Sequence, residues 1–330
     1  MNKIQVLDCT LRDGGYVNNW NFGAKNIETI INNLINSKID YIECGFLKNY
    51  IYEKDKSIFT KIEELIDFLP QNSVNNKFTL MINQGDYDVK KIKEKSNNLI
   101  FRIAFKKENI NEALNDCSYL INKGYDIFIN PMHTNFYDKK ELLSLLKKIN
   151  NIKPFAFTIA DTTGAMKEKD VHILFNIINN ELDSNIKVCF HSHNNLQLSF
   201  SNAQALLKIC NERDLIIDST IFGMGRGAGN IQTEHLIQYL NDNYTKDYNL
   251  IPILKTIDEI INPIYKITPW GYSVPYYLAA TNNCHPNYAK FLSDKKIDVE
   301  QIDFLLKNIP EDKKLSYDTE YIKNFSKLIK

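Results

Sequence analysis

The sequence predicts a (β/α)8 TIM barrel with a helical C-terminal appendage. Three observations carry this. Eight short apolar runs alternate with amphipathic segments over residues 1–245. Several of the runs are almost continuously apolar, as strands buried on both faces must be. The alternation stops after Asp242, where helical patterns punctuated by proline take over.

The candidate strands are residues 4–10, 41–46, 78–83, 99–105, 126–132, 155–161, 187–193 and 215–222. All are rich in Ile, Val, Phe and Tyr, the residues that suit a pleated, buried surface. The segments between them read as helices: 25–36, 59–68, 109–121, 139–149, 169–178, 197–210 and 233–240. The first shows the period plainly, with Ile27, Ile30, Ile31, Leu34 and Ile35 recurring every three to four residues. Pro70 and Gly124 stand where two of these helices should stop. A TIM barrel usually takes about 250 residues, which fits. A doubly wound open sheet is the weaker alternative, because no G-x-G-x-x-G follows the first strand. Beyond the barrel, residues 250–264, 288–292, 299–306 and 321–329 read as helices, so residues 246–330 would cap the barrel or build an interface.

Composition narrows the function. Of 330 residues, 44% are hydrophobic and 24% charged, as in a soluble globular protein. Lys plus Arg and Asp plus Glu both number 40, so the overall charge carries no nucleic-acid or membrane footprint. The N-terminus lacks a secretory pattern and no run is long and apolar enough to span a bilayer, so a cytoplasmic protein is expected. Cys9, Cys44, Cys117, Cys189, Cys210 and Cys284 form no C-x-x-C pair and are expected to be reduced, buried thiols.

A TIM barrel keeps its active site at the C-terminal ends of its strands, and unusual polar residues cluster there. The seventh candidate strand ends in His191-Ser-His193. Two histidines at i and i+2 on a strand point to one side, a spacing that suits a divalent metal. The first strand runs into Arg12-Asp13-Gly-Gly. Asp13 could complete a His/His/carboxylate site, and Arg12, which cannot lose its charge, would suit a developing enolate oxygen. A surface Arg–Asp pair at a turn is the plain alternative. Glu43 is a charge inside an apolar strand and needs a partner. Arg12 is one candidate; Arg102, otherwise a substrate contact, is another. The eighth strand leads into the glycine-rich segment 222–230, where backbone can approach a ligand closely or a loop can simply flex. His133 and Thr162 bring hydrogen-bonding groups to the same rim, and Asp161 and Thr162 could equally cap the next helix. No P-loop, no G-x-S-x-G elbow, no H-E-x-x-H and no conspicuous Schiff-base lysine occur, which favours a metal over an imine for carbonyl activation.

Together the segments Leu7-Asp-Cys-Thr-Leu-Arg-Asp-Gly-Gly15, His191-Ser-His-Asn-Asn195 and Gly225-Arg-Gly-Ala-Gly-Asn230 resemble the motifs of the DRE-TIM metallolyase superfamily. That superfamily includes hydroxymethylglutaryl-CoA lyase, isopropylmalate synthase and 4-hydroxy-2-oxovalerate aldolase. The resemblance implies that Arg12, Asp13 and Glu43 are the residues that name the group. It implies Asp13, His191 and His193 as ligands of Mg²⁺ or Mn²⁺, with Asn230 a fourth in some members. The stretch 160–166 is most like the aldolase branch. An aldolase on a 4-hydroxy-2-oxo acid, working through a metal-bound pyruvate enolate, is therefore expected. A Claisen-type acyl-CoA synthase and an inactive barrel subunit are the alternatives. Two departures matter. Tyr16 stands where the aldolase branch has its catalytic histidine and must be tuned from a value near 10 to act as a base. The eighth-strand loop lacks the cysteine of the lyase branch. Tyr272 corresponds weakly to a tyrosine that lines the pocket, and His285 is a spare base, expected at the surface. The resemblance also implies a small 2-oxo acid substrate, a homo-oligomer and, for the aldolase branch, an aldehyde dehydrogenase partner.

Overall fold

Nine strands arise in the computed structural model, which describes residues 3–70, 77–95 and 98–329. They are β1 (Ile4–Asp8), β2 (Tyr41–Leu47), β3 (Ile58–Phe59), β4 (Lys77–Asn83), β5 (Leu99–Phe105), β6 (Asp126–Pro131), β7 (Ala156–Asp161), β8 (Lys187–Ser192) and β9 (Leu215–Ser219). Eight of them pair in parallel around a ring that closes between β1 and both β2 and β9. The expected (β/α)8 barrel with a helical C-terminal region is what forms.

The two-residue β3 was not expected. It joins the edge of β2 and removes Phe59 from the predicted helix 59–68, which shrinks to Ile62–Ile66. The cause lies in β2, whose register shifts between Glu43 and Phe46. Gly45, at φ +147°, lets the Ser57 carbonyl come so near that a Cβ there would lie 2.0 Å from it. Phe46 N–H then donates to Ser57 O at 3.1 Å and Lys48 N–H to Phe59 O at 3.0 Å.

The barrel interior is built in layers by the two-residue period of its strands. The lower layer is apolar: Leu7, Tyr41, Ile100, Phe128, Ala156, Cys189 and Ile216 form one buried cluster with Cys9. Two residues further along the same strands stand Glu43, Arg102, Asn130, Thr158, His191 and Asp218, all buried. One strand step therefore separates an apolar floor from a charged layer. Outside, the helices bury one stripe each; Ala24–Asn36 covers Ile27, Ile30, Ile31 and Leu34 against the sheet.

After the last barrel helix, Thr233–Tyr244, residues 251–267 form a nearly continuous helix with one π turn at Ile257–Ile261. Its Ile253, Ile260 and Ile261 belong to the barrel's own core cluster. A second core, with Tyr288, Leu292, Leu305 and Leu306, gathers the helices Val274–Thr281, Pro286–Asp294, Val299–Lys307 and Thr319–Phe325. The first of these helices had no clear sequence signal. All six cysteines are buried thiols. Among the described residues no helix is long and apolar enough to cross a membrane.

Asp8, at the end of β1, is fully buried, accepting from Thr10 N–H at 2.9 Å and Thr233 Oγ1 at 2.6 Å. Burial outweighs these bonds and raises its pKa from 3.8 to about 6. A carboxyl with a folded value above its unfolded one binds more protons when folded. Its contribution to stability is thus present below 3.8 and lost as pH rises through about 6. The loss should approach about 3 kcal/mol. Asp8→Asn should flatten that fall, read from urea unfolding at pH 4.5 and 7.5; equal slopes for both proteins would refute the assignment to Asp8.

Candidate active site

The chain leaves β1 through a π-helical turn, Thr10–Gly14, that turns Arg12 and Asp13 back over the barrel mouth. Cys9 O accepts from both Arg12 N at 3.1 Å and Asp13 N at 2.8 Å. Trp20 Nε1 donates to Arg12 O at 2.7 Å and fixes the turn from outside. With the backbone so held, Arg12 reaches Glu43 through Nε (2.7 Å) and Asp13 through Nη1 (2.6 Å).

From Glu43 a chain of charges crosses the barrel interior. Glu43 Oε2 also accepts from Arg102 Nη1 at 3.2 Å. Arg102 Nη2 donates to Asp218 Oδ2 at 2.6 Å, and that same oxygen meets His191 Nδ1 at 3.0 Å. Both proposed partners of Glu43 are thus real. Arg102, however, is 0% exposed and does not line the cavity. Its guanidinium is spent inside the barrel on Glu43 and Asp218, so the substrate-contact reading of Arg102 gives way to a structural one. Asp218 escaped the sequence reading. Its signal was there: a lone acid inside the apolar run Leu215-Ile-Ile-Asp-Ser, the same pattern that singled out Glu43.

The other end of the chain is a ligand cluster. Asp13, His191 and His193 each offer an atom within 4.8 Å of the others, all buried. Asp218 accepts at His191 Nδ1, which leaves Nε2 with its lone pair. His193 Nδ1 is buried without a partner, 3.9 Å from Asp13 Oδ2. Burial, acting with His191, Arg226 and Arg12, pulls His193 down to about 3 despite Asp13, so the ring is neutral and able to coordinate. Burial pushes Asp13 up, but Arg12 and the two histidines hold it well below the usual carboxylate range. Three carboxylates (Asp13, Glu43, Asp218) against two guanidiniums (Arg12, Arg102) leave one net negative charge in the buried network. An orphaned imidazole nitrogen, a lone-pair-bearing Nε2 and a surplus negative charge fit a divalent cation.

Asn230 reaches this cluster from the loop after β9. Its Nδ2 donates to Asp13 Oδ2 at 2.6 Å, while its Oδ1 is buried and unpartnered. A Cβ on Gly225 would fall 2.2 Å from that Nδ2, so only glycine lets the loop lie against Asn230. Asn195 ties the loop down. Its Oδ1 accepts from Ala228 N and its Nδ2 donates to Thr163 O, each at 2.8 Å. Nothing in the sequence distinguished Asn195 from its neighbour Asn194.

The cavity above the cluster measures about 290 Å³. Arg12, Asp13, Tyr16, His133, Thr162, His191, His193, Arg226 and His285 line it, with Leu315, Ser316 and Tyr317 of the appendage. Thr162 Oγ1 accepts from the His133 backbone N–H at 2.9 Å. Asp161 turns inward instead, accepting from Ala165, Met166 and Ser192, and so holds its own loop. Tyr16 keeps 38% of its surface open beside Trp20, and desolvation raises its phenol above the ordinary value. Two expectations change. Tyr272 is 59% exposed, packs on Tyr277 and does not line the cavity, because the loop 268–273 carries it outward. His285 is not a surface residue: it is 9% exposed, capping the helix Pro286–Asp294 from the cavity wall.

The HMGL-like family model matches residues 3–260. The chain belongs to this family, the DRE-TIM group. The 4-hydroxy-2-oxovalerate aldolase of Carboxydothermus hydrogenoformans is 25% identical over 272 residues, 79% of this chain and 78% of that one. The oxaloacetate decarboxylase of Mycobacterium tuberculosis is 23% identical over 244 residues, 71% of this chain and 69% of its own. Among solved structures, the N-terminal domain of an assigned aldolase from Bacteroides vulgatus superposes with a TM-score of 0.74 at 27% identity, covering 88% of this chain and 96% of that one. The HMG-CoA lyase of Brucella melitensis shares the fold, with a TM-score of 0.60 at 14% identity over 78% of this chain and 96% of that one. Family and relatives together indicate a lyase or aldolase.

Proposed function

We propose that this HMGL-like protein is a divalent-metal-dependent aldolase that cleaves or forms the carbon–carbon bond of a 4-hydroxy-2-oxo acid, with pyruvate as the keto half. The observation that carries the proposal is the buried chain Asp13–Arg12–Glu43–Arg102–Asp218–His191, which ends on two of the three clustered ligand residues. A divalent cation at Asp13, His191 and His193, Mg²⁺ or Mn²⁺ by its donors, would polarise the keto and carboxylate oxygens of a pyruvyl group.

The remaining roles belong to the chain itself. Arg12 is anchored through Nε and Nη1, so its position is set before substrate arrives. Its permanent charge in the cavity wall stabilises the oxygen of the developing enolate. Glu43 orients Arg12 and is itself held by Arg102. Asn230 donates to Asp13 and keeps that carboxylate facing the cluster. Tyr16, neutral at ordinary pH, enters as a hydrogen-bond donor rather than as a base. Thr162 and His133 face the aldehyde half from the opposite wall.

Tyr16 also favours a second reading. Decarboxylation of a 2-oxo diacid leaves the same enolate but removes no hydroxyl proton, so it needs no base. The mycobacterial relative bears the name of that activity. The test is pyruvate release from a panel of 4-hydroxy-2-oxo acids and from oxaloacetate, with Mn²⁺ and after chelation. Metal-dependent release from the hydroxy acids is expected. Release from oxaloacetate alone would select the decarboxylase, and none from protein shown to hold metal would sink both.

Asp218 matters in either case, because it holds the His191 tautomer. Asp218→Asn should weaken Mn²⁺ binding by roughly 10- to 100-fold, measured by calorimetry. An unchanged affinity would mean that His191 needs no orienting partner.

A further inference from the structure

The aldolase reading leaves the aldehyde half of the substrate open, and the charges along the cavity bear on it. Among the described lining residues Asp13 is the one carboxylate, and Arg12 and Asn230 already engage it. Arg226 and Lys106 line the same space. Arg226 stands outside the buried ion chain and makes none of the ion pairs formed among the described residues. Its Nη1 lies 3.2 Å from His285 Nε2, its guanidinium 5.1 Å from the Tyr16 ring, and its Nε is buried without a partner. Two neutral rings thus hold a guanidinium whose nearby carboxylate, Asp13, is already engaged by Arg12 and Asn230, an arrangement that favours the arrival of a further anion. Lys106 extends from the end of β5, its Nζ 2.6 Å from Ser316 Oγ of the appendage.

Arg226 belongs to the wall beside the ligand cluster. Its guanidinium is 5.1 Å from the Tyr16 ring, Tyr16 is 6.3 Å from Phe46, and the Arg226 charge is felt by Asp13 and His193. A substrate whose keto-acid head lies at the ligand cluster would bring its other half within reach of this side of the cavity.

We infer that this side of the cavity is a subsite for an anionic group, a carboxylate or a phosphate, carried by the aldehyde half of the substrate. Arg226 is its forked partner and Lys106 a second cation at its edge. The inference rests on the aldolase reading for what the anion is attached to. It also gives the appendage a task, because His285 and Ser316 hold the two cations in place. An uncharged aldehyde would bury Arg226 unpaired and is selected against.

The experiment compares condensation of pyruvate with three aldehydes of similar length on Mn²⁺-loaded protein: butanal, 4-oxobutanoate and glyceraldehyde 3-phosphate. Wild type should prefer one of the charged aldehydes over butanal by roughly tenfold or more in kcat/KM, and Arg226→Gln should collapse that ratio through KM. The better of the two charged aldehydes separates a carboxylate from a phosphate site. A preference for butanal, or an Arg226→Gln ratio equal to that of wild type, overturns the inference. If no aldehyde turns over, the aldolase reading fails, and the subsite is read separately by calorimetry with succinate and inorganic phosphate. Binding to wild type that Arg226→Gln loses supports the subsite; no binding of either ion to wild type overturns it.

Discussion

His191→Ala is expected to abolish metal-dependent pyruvate release, lowering kcat/KM by about a thousandfold or more, the scale set by losing several kcal/mol of carbonyl polarisation. The histidine has no understudy. Its Nδ1 is held by Asp218 at 3.0 Å, and Asp218 is in turn held by Arg102 at 2.6 Å, so Nε2 is presented from a rigid strand end. His193 and Asp13 alone would supply two donors to a cation that prefers more. Calorimetry with Mn²⁺ separates the causes: lost binding with an intact fold is the expected result. Retained metal affinity with lost turnover would move His191 from ligand to proton carrier.

Arg102→Met should be the most damaging single change to stability. The guanidinium is fully buried and, among the described residues, is the one link between Glu43 and Asp218. Methionine fills much of the space but leaves both carboxylates in the barrel interior, Glu43 with Arg12 alone and Asp218 with Cys189 and His191. Breaking a buried pair in this way costs about 3–5 kcal/mol. Urea unfolding of the metal-free protein checks it. The double variant Arg102→Met/Asp218→Asn should recover part of the loss, since it removes one stranded charge. A loss under about 1 kcal/mol would mean that water reaches this layer.

A residue stands out in the sequence where it carries its own signal. A histidine pair at i and i+2 on an apolar strand, or an acid such as Glu43 inside one, is legible because the strand period fixes which side chains share a face. A residue stays hidden where the signal belongs to a partner distant in the chain. Asp218 carried the same mark as Glu43, but its meaning depends on Arg102, 116 residues away. Asn195 earns its place only through Ala228 and Thr163. Phe59 was drawn into β3 by a bulge and a close backbone approach at Gly45 that no periodicity records.

Local pattern by itself determined the eight barrel strands, the rim on which the polar residues cluster, and the placing of Arg12, Asp13, His191 and His193 on that rim. Those follow from periods of two and 3.6 residues and from the donor chemistry of single side chains. Only the tertiary structure decided that Arg102 lies beneath the cavity, that Tyr272 turns away from it, and that His285 comes in from the appendage to meet Arg226. Barrel closure and the docking of the appendage bring together residues dozens to hundreds of positions apart, and no local period in a chain encodes a distance across a ring.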